Sequence, residues 1–367
     1  MSDSGRQTLK TLAARELAEL TTIHRSDRPW QMPFAAALAT GLPLLFAAYV
    51  DRMTEGVIAS LAGLVFLYLP PTPLHRRMVT LMACAFGMAA CYAAGLLSHL
   101  VPGMAIPLLT LTAILVTAVT RSYQLGPPGS LFFIMTAAIA AYSPGTVADV
   151  PYRLGTFMLG SLGACAFAFL YSLHILRSRP ASPPGPDPEF DFDHVWTDSV
   201  IVGVFVGLSL LSAQLLGLAK AYWVPVSCIA VMQGMSIRAA WNRQVHRILG
   251  TTIGLGLTWA LLQGIDDNWT IAVTLIVLTF LIETAVVRHY GFAAVFITPL
   301  TILLAEAPTL GQESIGPLVQ ARFLDTVLGA VIGFAGAACL HNARLRERIG
   351  GWIRRLTPGL RETRPAD

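Results

Sequence analysis

Residues 222–257 read YWVPVSCIAVMQGMSIRAAWNRQVHRILGTTIGLGL. The stretch holds an apolar run broken by Pro225, a polar hairpin carrying Arg238, Arg243 and Arg247, and a second apolar run opening on Gly250 and Thr251. Two apolar segments joined by a basic elbow do not make the core of a water-soluble enzyme. They read as a pair of membrane-spanning helices with the connecting elbow on the cytoplasmic side, because Lys and Arg collect on that face of a membrane.

The rest of the chain has the same solvent in view. Charged residues make up 13% of it and apolar residues 54%, with a mean hydropathy of +0.62. A soluble domain is about a quarter charged, so this chain lacks the polar surface to cover a globule in water. The net charge of +4 gives no reason to expect nucleic acid as a partner. The five cysteines all fall within apolar runs without metal-ligand spacing, and read as small apolar residues at helix interfaces. No phosphate-binding loop, zinc signature, nucleophile elbow or dinucleotide fingerprint occurs. The expectation is a membrane protein without cofactor or metal, and not an enzyme.

Windows of about 19 residues divide the chain into a polar segment (1–29), six apolar spans (30–176), a Pro-rich acidic linker (177–195), six further spans (196–341) and a basic tail (342–367). Within the first segment, residues 12–20 (LAARELAEL) suggest a short helix, and no cleavable signal pattern is present. The fold class expected is an all-α polytopic membrane protein of about twelve transmembrane helices. Placing both termini in the cytoplasm puts all but four of the 25 Lys and Arg residues on the inner side; the four are Arg52, Arg153, Lys220 and Arg322. Both halves contain an even number of spans, so they form parallel repeats about an axis along the membrane normal. Residues 152–170 align with 321–340 and pair Arg153 with Arg322 and Gly160 with Gly329. The second and fifth spans of each half are short or interrupted by Pro and Gly. Such broken spans need protein or a wet cavity to satisfy their backbone, and matched pairs of them point to a transport site.

Ionisable residues inside apolar spans are the first functional candidates, since burying one costs at least about 2.5 kcal/mol. Arg322 and Asp325 are three apart and share a helical face, where they can pair. Arg153 occupies the equivalent place in the first half, with Thr156 in place of the acid; it attracts an anion or snorkels to headgroups. Glu283 is a proton-coupling carboxylate or an interfacial partner of Arg288. Gly250, Thr251 and Gly254 form a small-residue stripe that lets helices approach closely. Arg238, Arg243 and Arg247 read as an inner-face topology anchor.

The pattern YWVP…Q…R…N…RILGT resembles the fusaric acid resistance protein-like family, within it the aromatic acid exporter group. The residues carrying it are Tyr222, Trp223, Pro225, Gln233, Arg238, Asn242, Arg247, Gly250 and Thr251. The resemblance is clearest over about 35 residues of the second half, and the first half has Thr54-Glu55-Gly56-Val57 where Tyr-Trp-x-Pro would fall. It implies an inner-membrane efflux protein for aromatic or related organic acids, working with a periplasmic adaptor protein; plant malate channels are distant relatives by the same resemblance. Larger members carry sizeable cytosolic domains that this chain replaces with a short linker and tail, so a homo-oligomer or another partner enters as an alternative. In the efflux reading the arginines attract a small organic anion, Tyr222 and Trp223 stack on or gate its ring near Pro225 and Gln233, and Asp325 or Glu283 carries the proton. A passive organic-anion channel and a non-transport membrane assembly partner are the competing readings.

Overall fold

The computed structural model describes residues 21–101, 103–182, 192–306 and 315–356, and every regular element among them is helical. The expected helix at 12–20, residues 183–191 of the linker and residues 357–367 of the tail lie outside the described residues. The helices are α1 (Gln31–Tyr49), α2 (Met53–Gly63, continued by a 3-10 turn Leu64–Tyr68), α3 (Leu74–Leu97), α4 (Ala105–Ser122), α5 (Leu131–Ala140) and α6 (Val150–Ser178). After the linker come α7 (Phe192–Leu215), α8 (Trp223–Met232), α9 (Ile237–Leu262), α10 (Asn268–Ala285), α11 (Tyr290–Glu306), α12 (Ile315–Leu340) and the arginine-rich α13 (Ala343–Leu356). Eight of them are long and apolar enough to cross a membrane, and four shorter apolar helices, at 53–68, 131–140, 223–232 and 290–305, lie between. Phe46, Phe86 and Leu159 are 67%, 75% and 72% exposed on the outside of the bundle. Large apolar side chains held outward on several helices are what a lipid-facing surface requires.

Local chemistry sets the element ends. Pro225 sits in the first turn of α8, where its missing N–H has no helical partner to lose. After Gln233 the chain turns at Gly234, where a Cβ would lie 2.5 Å from the Ala240 backbone nitrogen. Ser236 then caps α9, its side-chain oxygen accepting the Ala239 N–H at 3.1 Å. The turn is therefore complete by Ser236. Arg238, Arg243 and Arg247 lie on the opening turns of α9 rather than in the hairpin loop expected from the sequence, because the Ser236 cap starts the helix ahead of them. Asp267 caps α10, accepting the Thr270 hydroxyl at 2.7 Å and the Thr270 N–H at 2.7 Å; these bonds hold its carboxyl below the usual carboxylate range.

The bundle interlocks its two halves. Helix α1 packs on α10 and α4 packs on α7, while α2 packs on α6, α3 on α5, α8 on α12 and α9 on α11. The α1–α10 and α4–α7 contacts between halves each carry an ion pair, and α5 packs on α8 as a further contact between them. Arg121 of α4 pairs closely with Asp198 of α7, and Arg28, just ahead of α1, pairs with Glu283 of α10 at 3.0 Å. Asp198 also receives Arg346 of α13 at 2.9 Å. The partner of Glu283 is thus Arg28 and not Arg288, because α1 lies alongside α10 and brings the end of the N-terminal segment onto it.

Close approach of helices rests on glycine where the sequence stripes fall. Gly250 and Gly254 of α9 face α11, where added Cβ atoms would meet Ala294 Cβ and the Val295 carbonyl oxygen at 2.5 Å each. The Val295 carbonyl is the one Pro299 leaves without a helical N–H, and Thr251 accepts the Thr298 hydroxyl at 3.4 Å beside it. On the other side of the bundle Gly329 of α12 lies against Ser227 of α8, its absent Cβ only 2.6 Å from the Ser227 Cβ. Gly160 does the same for α6 against the Ala59 backbone of α2, at 2.6 Å from its Cα. Gly329→Val is expected to lower stability by about 1–3 kcal/mol, since the obstacle includes backbone that cannot rotate away. Thermal unfolding in detergent checks this; an unchanged midpoint would contradict the packing described for α8 and α12.

Candidate functional site

The Gly329 contact sets the register of α12 on α8, and one and two turns back toward the start of α12 stand Asp325 and Arg322. At this end of α8 the Arg322 guanidinium carbon lies 4.2 Å from the centroid of the Trp223 ring. A desolvated cation over an indole face gains about 2 kcal/mol. Trp223 in turn touches Tyr222, with centroids 5.1 Å apart, and Tyr222 touches Tyr142 at 5.8 Å. The Tyr142 hydroxyl accepts from the Gln214 amide at 2.6 Å.

Arg322 is 3% exposed and Asp325 is fully buried. The sequence spacing suggests that they pair, yet neither Asp325 oxygen accepts a hydrogen bond, and Arg322 Nε and Nη1 donate none. The guanidinium is engaged by the indole ring instead. The two side chains line one small cavity, about 10 Å³, together with Lys220, Trp223, Ile302, Ala305 and Leu318. That space suffices for about one water. An organic anion enters only if α8, α11 and α12 separate. Open donors on a buried guanidinium offer a carboxylate two parallel charge-assisted hydrogen bonds, and the neighbouring indole and phenol faces suit a flat ring.

Two further arginines follow the same helix. Arg247, 5% exposed, donates from Nη2 to the Ser227 hydroxyl at 3.0 Å and from Nη1 to the Tyr290 hydroxyl at 3.1 Å; its Nε has no partner. Arg243 donates to the Ala230 carbonyl at 3.1 Å and to the Gln233 amide oxygen at 3.3 Å, and lies 5.2 Å from the Tyr290 ring centroid. The Gln233 amide group donates to the Pro128 carbonyl at 2.6 Å, tying the far end of α8 to the first half. Arg247 is therefore a residue of the bundle interior, where the sequence reading has it as a surface anchor. Arg238, in the first turn of the same helix, is exposed.

Of the candidates taken from the sequence, Trp223, Arg322 and Asp325 share the cavity and Tyr222 flanks it. Pro225 shapes the start of α8. Gln233 stands at the opposite end of that helix. Arg153 is elsewhere: its guanidinium donates to the Pro144 carbonyl and holds the loop ahead of α6. In that loop Asp149 accepts from the Thr146 backbone N–H at 2.7 Å and from its hydroxyl, which holds the Asp149 carboxyl below its ordinary range. Glu283 is engaged with Arg28, away from the cavity. Sequence reasoning passed over Ser227, Tyr290 and Tyr142. The signal present for Tyr290 was its place directly after Arg288 and His289 at the head of an apolar span.

Comparison with known proteins bears on the same region. Residues 201–336, from α7 to α12, match the family model described as fusaric acid resistance protein-like. Over these residues the second half is similar to that family. A relative, described as uncharacterized membrane protein YvaC of Bacillus subtilis (strain 168), is 30% identical over 164 residues, which cover 43% of this chain and 26% of that protein. The chain thus matches about a quarter of the length of this relative. No solved structure matches it.

Replacing the buried charges together separates function from folding. Buried ion pairs exchanged for apolar residues of similar volume are neutral or stabilising by about 1–4 kcal/mol. The double variant Arg322→Leu with Asp325→Leu is expected to keep or raise the thermal midpoint in detergent. A large loss of stability would show instead that these charges hold the bundle together.

Proposed function

We propose that the chain is a secondary transporter that exports aromatic or related organic acids across the bacterial inner membrane, driven by protons. The observation that carries this reading is the buried pair of unsatisfied groups, Arg322 and Asp325, beside the Trp223 face. Both Asp325 oxygens and Arg322 Nε and Nη1 lack hydrogen-bond partners, and the Trp223 face offsets the burial of Arg322 only in part. A substrate carboxylate on Arg322 supplies the missing acceptors, and its ring replaces Arg322 as the neighbour of Trp223 and Tyr222. Asp325, three residues along the same helix, carries a proton inward in exchange for the outgoing carboxylate, the two occupying the site in alternate states. Proton and anion movements are thereby linked through one site.

The architecture proposed with it is twelve membrane segments in two parallel six-helix repeats, domains 30–176 and 196–341, with the polar segment, linker and basic tail in the cytoplasm. The helix pairings support it. Exchanging the first segment for the seventh, the second for the eighth and so on turns α1–α10 into α7–α4, α2–α6 into α8–α12, and α3–α5 into α9–α11; all six contacts are present. The four short helices fall at the second and fifth places of each half. A periplasmic adaptor or a homo-oligomer belongs to the same proposal.

Flux of 4-hydroxybenzoate from proteoliposomes tests it. Uphill movement against its concentration gradient is expected when a pH gradient is imposed. In Asp325→Asn, movement is expected to become strictly downhill and indifferent to that gradient. Downhill movement alone in the unsubstituted protein would favour the channel reading, and no movement of any organic acid would favour an assembly role.

A further inference from the structure

Helix α8 has one polar flank, and arginines follow it from end to end. The contact points are Trp223 for Arg322, Ser227 for Arg247, and Ala230 and Gln233 for Arg243. Steps of four, three and three residues stay on one side of a helix. At 1.5 Å per residue they cover about 15 Å, half of a hydrocarbon core. Against these three guanidinium groups the flank presents one carboxylate, Asp325, at the Arg322 end. Arg247 and Arg243 have no carboxylate partner within ion-pair distance among the described residues. Their partners are hydroxyl, amide and carbonyl oxygens, and Arg247 Nε is buried with none.

A fold that needed Arg247 only as a clamp between α8, α9 and α11 would gain more from an acid at position 227 or 290, because a lone buried guanidinium is costly. Hydroxyl partners suit a different task. They hold the guanidinium in place yet yield it to a stronger acceptor, since a charge-assisted bond to a carboxylate is about twice as strong as one to a neutral oxygen.

On the reading that Arg322 receives an organic acid, we infer that Arg247, framed by Ser227 and Tyr290, is a second carboxylate-binding station one helical turn along α8, and that Arg243 at Gln233 is a third, at the end of the path. The substrate anion passes from one guanidinium to the next along α8. Tyr290 serves two stations, donating its hydroxyl to the anion at Arg247 and its ring to Arg243. Evenly spaced sites of moderate strength allow both entry and release, as passage through a membrane requires.

Benzoate uptake into proteoliposomes tests this, with Arg322→Ala as reference. The unsubstituted protein is expected to move benzoate and Arg322→Ala is not. Arg247→Gln, which removes the charge but keeps a polar side chain beside Ser227, is expected to lose about tenfold or more in flux with the protein still folded by its thermal midpoint, the equivalent of one charge-assisted hydrogen bond. Arg247→Lys is expected to restore part of it. In Ser227→Cys, an anionic methanethiosulfonate is expected to modify the new thiol faster than a cationic one, and benzoate to protect it. Full benzoate flux in Arg247→Gln, or faster modification by the cationic reagent, would overturn the second station while leaving the Arg322 site standing. Absence of benzoate flux in the unsubstituted protein overturns both.

Discussion

A guanidinium inside a bilayer must find electron density, and Arg322 finds it in the ring of Trp223. Much of the second half is arranged so that this contact can exist. Gly329 and Gly333 bring α12 against α8, Pro225 and the Gly234 turn make α8 short, and α11 closes the third side with Ile302 and Ala305. The first half repeats the glycine contact at Gly160 but not the charge. There Arg153 turns outward to a loop carbonyl and Thr156 stands where Asp325 would be. The glycine contact thus occurs in both halves, while the buried Arg322 and Asp325 stand only in the second.

The energetics of that centre run opposite to those of a structural ion pair. Arg28–Glu283 and Arg121–Asp198 are satisfied contacts that join the halves, so their burial is offset where it occurs. Arg322 and Asp325 are buried without that offset. A stable fold tolerates such a cost only where other packing supplies the margin, and here the glycine-mediated contacts of α8, α9, α11 and α12 supply it. Stability is held in the helix interfaces, and on the proposed function the unsatisfied polar atoms are left for a ligand.

Much of this was legible in the sequence because hydropathy and the scarcity of charge dominate it. The apolar runs fall on helices, eight of them long enough to cross a membrane among the described residues, and Arg322 and Asp325 stood out as interruptions of an apolar run. Contacts that depend on which helices become neighbours were not legible. Glu283 meets a residue 255 positions away, and no local spacing encodes that α1 lies on α10. Arg247 looked like part of a surface elbow because the Ser236 cap, which starts the helix early enough to carry it inside, is one serine among polar residues. Ser227 and Tyr290 carry no charge and match no motif. Their place beside Arg247 follows from the α8–α9–α11 packing alone.

Arg322 and Trp223 are proposed to form the binding site, which opens as α8, α11 and α12 separate. Equilibrium binding of radiolabelled 4-hydroxybenzoate to the purified protein in detergent tests it most directly, with Arg322→Ala and Trp223→Leu alongside. Saturable binding that falls about tenfold or more in each variant, the size of one lost charge-assisted or aromatic contact, is the expected result. Binding of equal affinity in all three proteins would place the acid elsewhere and contradict the claim.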